Sequence, residues 1–165
     1  MTAWEYRCLR GRVEEISPLL ARLATLPCPV QLVRADRICG PDHLAHAVRL
    51  AARAQAQGRG ASDALPAEVV RYLAGERQIT KALAKVGIAP GADVRIAALA
   101  FGERAKEALD RLATAERWAD DPEPLRATRE GLLALGVSPE ELILLPEARW
   151  EDLALERAAL VDVAK

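Results

Sequence analysis

Residues 68–87, EVVRYLAGERQITKALAKVG, carry the densest run of structural signals in the chain and decide its reading. Pro66, just ahead of them, suits the first turn of a helix, where its missing amide has no partner to lose, and Glu68 sets a carboxylate near the positive end of that helix. Val69, Val70, Tyr72 and Leu73 supply its apolar contacts, and Gly75 can take the left-handed conformation that ends it. A second helix is expected from Glu76. Ile79, Ala82, Leu83 and Val86 share one of its faces, while Arg77, Lys81 and Lys85 recur every four residues on the adjoining one. Gly87, Ile88 and Pro90 form the stop, with Ile88 placed to fold back on the last turn. The stretch therefore reads as a helix-turn-helix-like pair, apolar on the inside and cationic on the outside.

Working outward from this pair, residues 2–13 alternate Trp4, Tyr6 and Cys8 with Glu5, Arg7 and Arg10, the period of a half-buried strand. A short helix is expected over 18–26 and strand character returns over 30–38. Gly40 and Pro41 open a long helix to about Gln57, with Leu44, Ala47, Val48, Ala51 and Ala54 on one face and Arg49 and Arg53 on another. Residues 57–65, QGRGASDAL, are a loop by composition. After the pair, residues 94–101, VRIAALAF, form an apolar run between two glycines, the mark of a central strand buried on both faces. A helix is expected over 103–116, and another is expected to start at Asp121 and Pro122 and to stop at Gly136. Ser138 and Glu141 spell a capping box for one more short turn. Residues 150–157 look helical, and residues 160–163 suit either a last helical turn or, on the resemblance described below, a short closing strand. The sum is an α/β (α+β) single domain over residues 1–165: a mixed sheet, a helical layer and a central signature pair set apart from the sheet.

With 165 residues the chain is long enough to bury one core. An apolar fraction of 51% and a net charge of -1 describe a globular chain without general attraction to nucleic acid, so any RNA contact has to come from a local patch. No stretch approaches the roughly 20 apolar residues of a membrane span, and the N-terminal residues lack the apolar core of a signal peptide, so a cytoplasmic location is expected. Cys8, Cys28 and Cys39 lack metal-ligand spacing and read as buried thiols.

Catalytic motifs are missing. No phosphate-binding glycine loop and no G-x-S-x-G elbow occurs, since GRGAS at 58–62 has neither the spacing nor a preceding strand. His43 and His46 are three apart on the long helix without a third ligand, so no metal is expected. Both read as structural, one of them bonding a backbone group near the signature turn. Glu68 and Tyr72 read as a helix-start carboxylate beside a core tyrosine, not as an acid/base pair. No cofactor is implied.

The order Glu68, Gly75, Arg77, Gln78, Ile79, Ala82, Gly87, preceded by Asp42, His43, Leu44, His46 and Ala47, resembles the signature of the small kinase-binding subunit of the KEOPS complex, the family of TPRKB and its archaeal counterparts. Glu76 stands where the family carries Thr. The resemblance runs from about Trp4 to the end. It implies a non-catalytic regulatory subunit that docks on the kinase-like ATPase of the complex. Such a subunit recruits tRNA through its 3′ CCA end and supports the transferase subunit that installs threonylcarbamoyladenosine. Two other classes compete. A helix-turn-helix DNA-binding regulator is disfavoured, because Ala89, Pro90, Gly91 and a buried strand follow where recognition contacts belong. A small-molecule enzyme has no catalytic residues to support it.

Candidate nucleic-acid contacts are Arg77, Arg53, Arg59 and Lys81. Arg77, at the start of the second signature helix, adds its guanidinium to freed backbone amides, and the other three converge from the long helix, the loop and the next turn. Glu76 opposes this if it pairs with Arg77. Candidate partner-binding residues are Leu44 and Val48 on the long helix and Leu153 and Leu160 near the C-terminus.

Overall fold

The computed structural model describes residues 3–61 and 64–163. Thr2, where the first strand was expected to begin, and Ser62 and Asp63 of the loop lie outside them. In chain order the elements are β1 (Trp4–Val13), α1 (Ile16–Leu23), β2 (Val30–Arg34), α2 (Pro41–Ala56), α3 (Leu65–Ala74), α4 (Ile79–Val86), β3 (Gly91–Phe101), α5 (Ala105–Glu116), β4 (Ala119–Asp120), α6 (Arg129–Ala134), α7 (Pro139–Leu144) and α8 (Glu151–Leu160). They gather into two compact units: residues 1–35 with 87–123, and residues 36–86 with 124–165.

The first unit is the sheet with two helices. Its strand order is β2-β3-β1-β4, and every pairing is antiparallel. The α/β class is as expected, but the sheet is not mixed. Helix α1 joins two parallel strands, β1 and β2, yet β3 lies between them. Helix α5 likewise joins β3 to β4, with β1 between. Two β-α-β units interleave, so that each strand meets only antiparallel neighbours, the ferredoxin-like arrangement. The run 94–101 is indeed central, and residues 96–101 are all buried.

One face of the sheet supplies Leu9, Val13, Leu32, Ile96, Ala98 and Ala100 to a core closed by Leu19 and Leu23 of α1 and by Ala105, Ala108, Leu109 and Leu112 of α5. This corrects the reading of β1. Its core positions are Leu9 and Val13, whereas Trp4 and Tyr6 stack on each other on the opposite face, with ring centroids 6.2 Å apart, and Tyr6 stays exposed. Gly11 leaves room for Trp118: a Cβ there would lie 2.4 Å from Trp118 Cδ1. Trp118 Nε1 donates to the Arg12 carbonyl at 2.9 Å, beside a register shift between Gly11 and Val13. Ile88 packs against this core. Strand β4, only two residues long, carries no periodicity from which it could have been read.

Every regular element among the second unit's described residues is a helix. Helix α2 packs against α3 and α8, and α3 against α4 and α8. The expected face of α2, Leu44, Ala47, Val48, Ala51 and Ala54, is buried, and so are Val69, Val70, Tyr72 and Leu73 of α3. Gly40, at φ 147, makes the entry to α2 possible, since a Cβ there would fall 1.8 Å from Glu151 Oε2. That carboxylate instead accepts the His43 amide at 3.1 Å and faces the positive end of α2. The helix expected from Asp121 begins only at Arg129, capped by Thr128, whose hydroxyl accepts the Gly131 amide at 3.0 Å. Asp121 is engaged elsewhere, paired with Arg95 at 2.7 Å in the first unit. The capping box of Ser138 and Glu141 starts α7 as expected. After α8 the chain makes a last turn to Val163, so the helical alternative holds there and no strand closes the described residues.

Candidate functional site

The signature pair folds as the sequence implies at its first half and differs at its second. Gly75 ends α3 at φ 67, and its amide and that of Glu76 return to the carbonyls of the last turn. Helix α4 begins at Ile79, not Glu76. Glu76, Arg77 and Gln78 form the connection, and the Ala82 amide bonds back to the Gln78 carbonyl at 3.0 Å. Of the face assigned to α4 only Ala82 and Val86 are buried, while Ile79 and Leu83 remain partly open.

A groove of about 400 Å³ lies against this connection, lined by Gly75, Glu76, Arg77, Gln78, Lys81, Arg157, Leu160 and Val161. Its floor is aliphatic and its rim cationic. Glu76 does not neutralise Arg77: its carboxylate is held at 2.7 Å by Lys85 one helix away. Arg157 is occupied too, placing one nitrogen 2.7 Å from both oxygens of Glu141. Its guanidinium and the Ser138 amide together hold the Glu141 carboxyl below the usual range, the backbone bond contributing more. Arg77 and Lys81 are exposed and, among the described residues, pair with no carboxylate. The groove thus offers two free cations over an apolar floor. The first unit also has a groove, of about 440 Å³, but its lining carries three glutamates, Glu14, Glu15 and Glu116, to three arginines. Two of the arginines are paired, Arg22 in a two-bond pair with Glu116 at 2.8 Å and Arg12 with Glu14 at 3.6 Å, while Arg117 pairs with no carboxylate among the described residues.

Arg53 and Arg59 do not line the cationic groove. Arg53 is exposed on α2 near Arg49 and His46; the Arg49 guanidinium donates to His46 Nδ1 at 2.8 Å. Burial first, then these two cations, push the His46 pKa down. Arg59 is tied to the C-terminal turn, its Nη1 3.1 Å from Asp162 Oδ1. The same carboxylate accepts the hydroxyl of Tyr72, whose pKa is pushed up to about 12 by burial and by that bond.

The residues expected to bind a partner are divided by burial. Leu44, Val48 and Leu153 are core residues, closed in where α2, α3 and α8 pack, so none can form the exposed centre of an interface. Leu160 is different, at 42% exposure on the last turn of α8. Sequence reasoning missed Ile143 and Leu144, exposed at 81% and 79%. A signal was there: four apolar residues, Leu142 to Leu145, follow the capping box, and a six-residue helix can bury only one side. Trp150 steadies this end of α7, its indole N–H donating to the carbonyls of Leu142 and Leu145 at 3.3 and 3.2 Å.

A cysteine, a histidine and a glutamate do meet at the start of α2, but as structure. His43 Nδ1 accepts the Cys39 amide at 2.9 Å, which leaves Nε2 as the donor to the Leu73 carbonyl at 3.1 Å. One histidine thus bonds the backbone just before the signature turn, as expected. Burial pushes its pKa down to about 4, and it pushes the Cys39 thiol up to about 12. Neither is poised for proton transfer or attack. No group of metal-binding residues occurs among the described residues, and no helix there is long and apolar enough to cross a membrane.

Compared with known proteins, residues 12–119 match the model of the family described as kinase binding protein CGI-121. No curated protein matches the chain.

Proposed function

The chain belongs to the family described as kinase binding protein CGI-121, and from that membership we propose that it is a non-catalytic subunit of a KEOPS-type assembly, docking on the kinase-like ATPase of the complex. It brings tRNA to that complex by its 3′ CCA end, in support of the transferase that forms threonylcarbamoyladenosine, in the cytoplasm. The observation that carries the RNA half of this reading is the groove beside Gly75, where Arg77 and Lys81 stand free over an aliphatic floor. A single-stranded end needs that combination: cations for its phosphates and apolar surface for unstacked bases. Arg53 and Arg59 lie outside the groove's lining and would add contacts from α2 and its loop only as outlying cations, Arg59 being paired with Asp162. The protein partner is met by exposed aliphatic residues, Leu160 first, at the edge it shares with the groove, with Leu133, Ile143, Leu144 and Val163 as the other large apolar side chains exposed on the second unit's C-terminal part.

The test is binding of the full chain to tRNA with an intact and a trimmed CCA end, together with co-purification of the kinase-like subunit. Arg77→Ala weakens binding to intact tRNA and lowers its salt slope by about one unit, and it leaves co-purification unchanged. Equal affinity of wild type for intact and trimmed tRNA would remove the RNA half, and failure to co-purify would remove the docking half. A DNA-reading helix pair has less support, because Lys85 of α4 is engaged with Glu76 and the Leu135 carbonyl, and Leu83 takes part of the outward face.

A further inference from the structure

Behind the groove lies an ion pair that stability alone does not explain. Glu68 and Arg71, one turn apart on α3, are both buried, with Arg71 Nη1 2.7 Å from Glu68 Oε2. The other edge of the same guanidinium faces the signature turn, where Nε donates to the backbone carbonyl of Arg77. A buried pair of this kind offers little net stability over apolar residues of similar volume, because both charges lose their hydration. What it does supply is direction. One planar fork connects a carboxylate anchored in α3 to the single peptide from which the Arg77 side chain projects. The turn's other groups are likewise committed: Glu76 goes to Lys85, and the Gln78 carbonyl to the Ala82 amide.

We propose that the Glu68–Arg71 pair is a positioning device for Arg77, holding the connection between α3 and α4 so that the Arg77 guanidinium is presented to the groove before any ligand arrives. Arg71 touches no ligand and acts only through the Arg77 backbone. A cation fixed in place loses less conformational freedom on binding than one on a mobile turn, so removing the fork lowers affinity without removing any contacting side chain. The proposal rests on the groove being the tRNA contact, and the experiment separates the two.

The probe is tRNA with an intact CCA end, titrated against the full chain at several salt concentrations. The variants are Arg77→Ala, Arg71→Lys, and the double variant Glu68→Leu with Arg71→Met, which removes both charges of the pair together. Arg71→Lys keeps a cation beside Glu68 but replaces two divergent donors with one nitrogen. The double variant is expected to keep the wild-type circular dichroism and melting profile and to bind roughly tenfold more weakly, the size of one lost hydrogen bond to a charged group. Arg71→Lys falls in the same direction. The distinctive result is non-additivity: Arg77→Ala weakens the wild type but adds almost nothing in the double variant. If Arg77→Ala weakens binding while either folded Arg71 variant binds like wild type, or if the effects simply add, the positioning role is refuted and the groove reading survives. If Arg77→Ala has no effect, the groove reading fails and the positioning role goes with it.

Discussion

His43 makes the stability of this protein depend on pH in a window that few other groups share. Its side chain is fully buried, Nδ1 accepts from Cys39 and Nε2 donates to Leu73, so the folded state holds the neutral ring. Protonation would put a hydrogen on Nδ1, against the amide it now accepts. The folded pKa is depressed from 6.5 to about 4. An unfolded chain therefore takes up the proton first, and acid favours unfolding. The contribution is fully present above pH 6.5 and is lost as pH falls toward 4. Across that span the difference is worth ~3 kcal/mol, on the order of 1.4 kcal/mol per pH unit for one proton. The carboxylates held low by cations, such as Asp110 and Glu107, have ordinary values of 3.8 and 4.5, so their contributions begin to be lost only at the acid end of this window and below it. The assay is urea unfolding followed by far-ultraviolet circular dichroism and by tryptophan fluorescence at pH 7.0, 6.0, 5.0 and 4.5. The comparison is with His43→Asn, whose amide oxygen can still accept from Cys39 but does not titrate. His46 is common to both proteins and cancels. The wild-type curve should fall toward that of the variant as the pH drops. Parallel curves from pH 7 to 4.5 would show that His43 is not the neutral, buried ring described here.

The other predictions concern packing and docking. Leu160→Arg should abolish co-purification with the kinase-like subunit while preserving the melting profile, whereas Leu44→Arg should unfold the protein, because only the second places a charge in the core. If Leu160→Arg also unfolds it, Leu160 belongs to the core rather than to an interface. Gly40→Ala, which forces a Cβ against Glu151 at a positive φ, should cost about 2 kcal/mol or more in denaturant unfolding; an unchanged midpoint would mean that the α2 entry rearranges freely.

Much of this molecule was legible in local signals. Gly75 and the capping box of Ser138 and Glu141 are decided within a few residues of chain, since each answers to the orphan backbone groups of a single helix end. The face of α2 and the burial of 96–101 follow from apolar runs and periods long enough to be unambiguous. The resemblance residing in residues 68–87 also pointed to the family that residues 12–119 match.

What the local pattern did not contain was partnership over distance. Strand alternation in β1 is symmetric, so it marks two faces without saying which one α1 and α5 will cover, and Leu9 rather than Trp4 or Tyr6 met them. Antiparallel pairing throughout the sheet depends on β3 and β1 each entering between two strands joined by a helix, an event between segments many residues apart. The site divides in the same way. Arg77 and Lys81 are only four residues apart, and both line the groove although Arg77 lies in the connection ahead of α4. That Arg77 is free is not written in that spacing, because it depends on Lys85 winning Glu76, on Glu141 holding Arg157, and on Arg71 reaching across the turn to the Arg77 carbonyl. Leu44 and Leu160 show the same limit: both are leucines on amphipathic helices, and only the packing of α2, α3 and α8 left one in the core and the other at the surface. A charge's partner and a leucine's burial are properties of the folded neighbourhood, and the chain encodes them only through the whole set of contacts it makes at once.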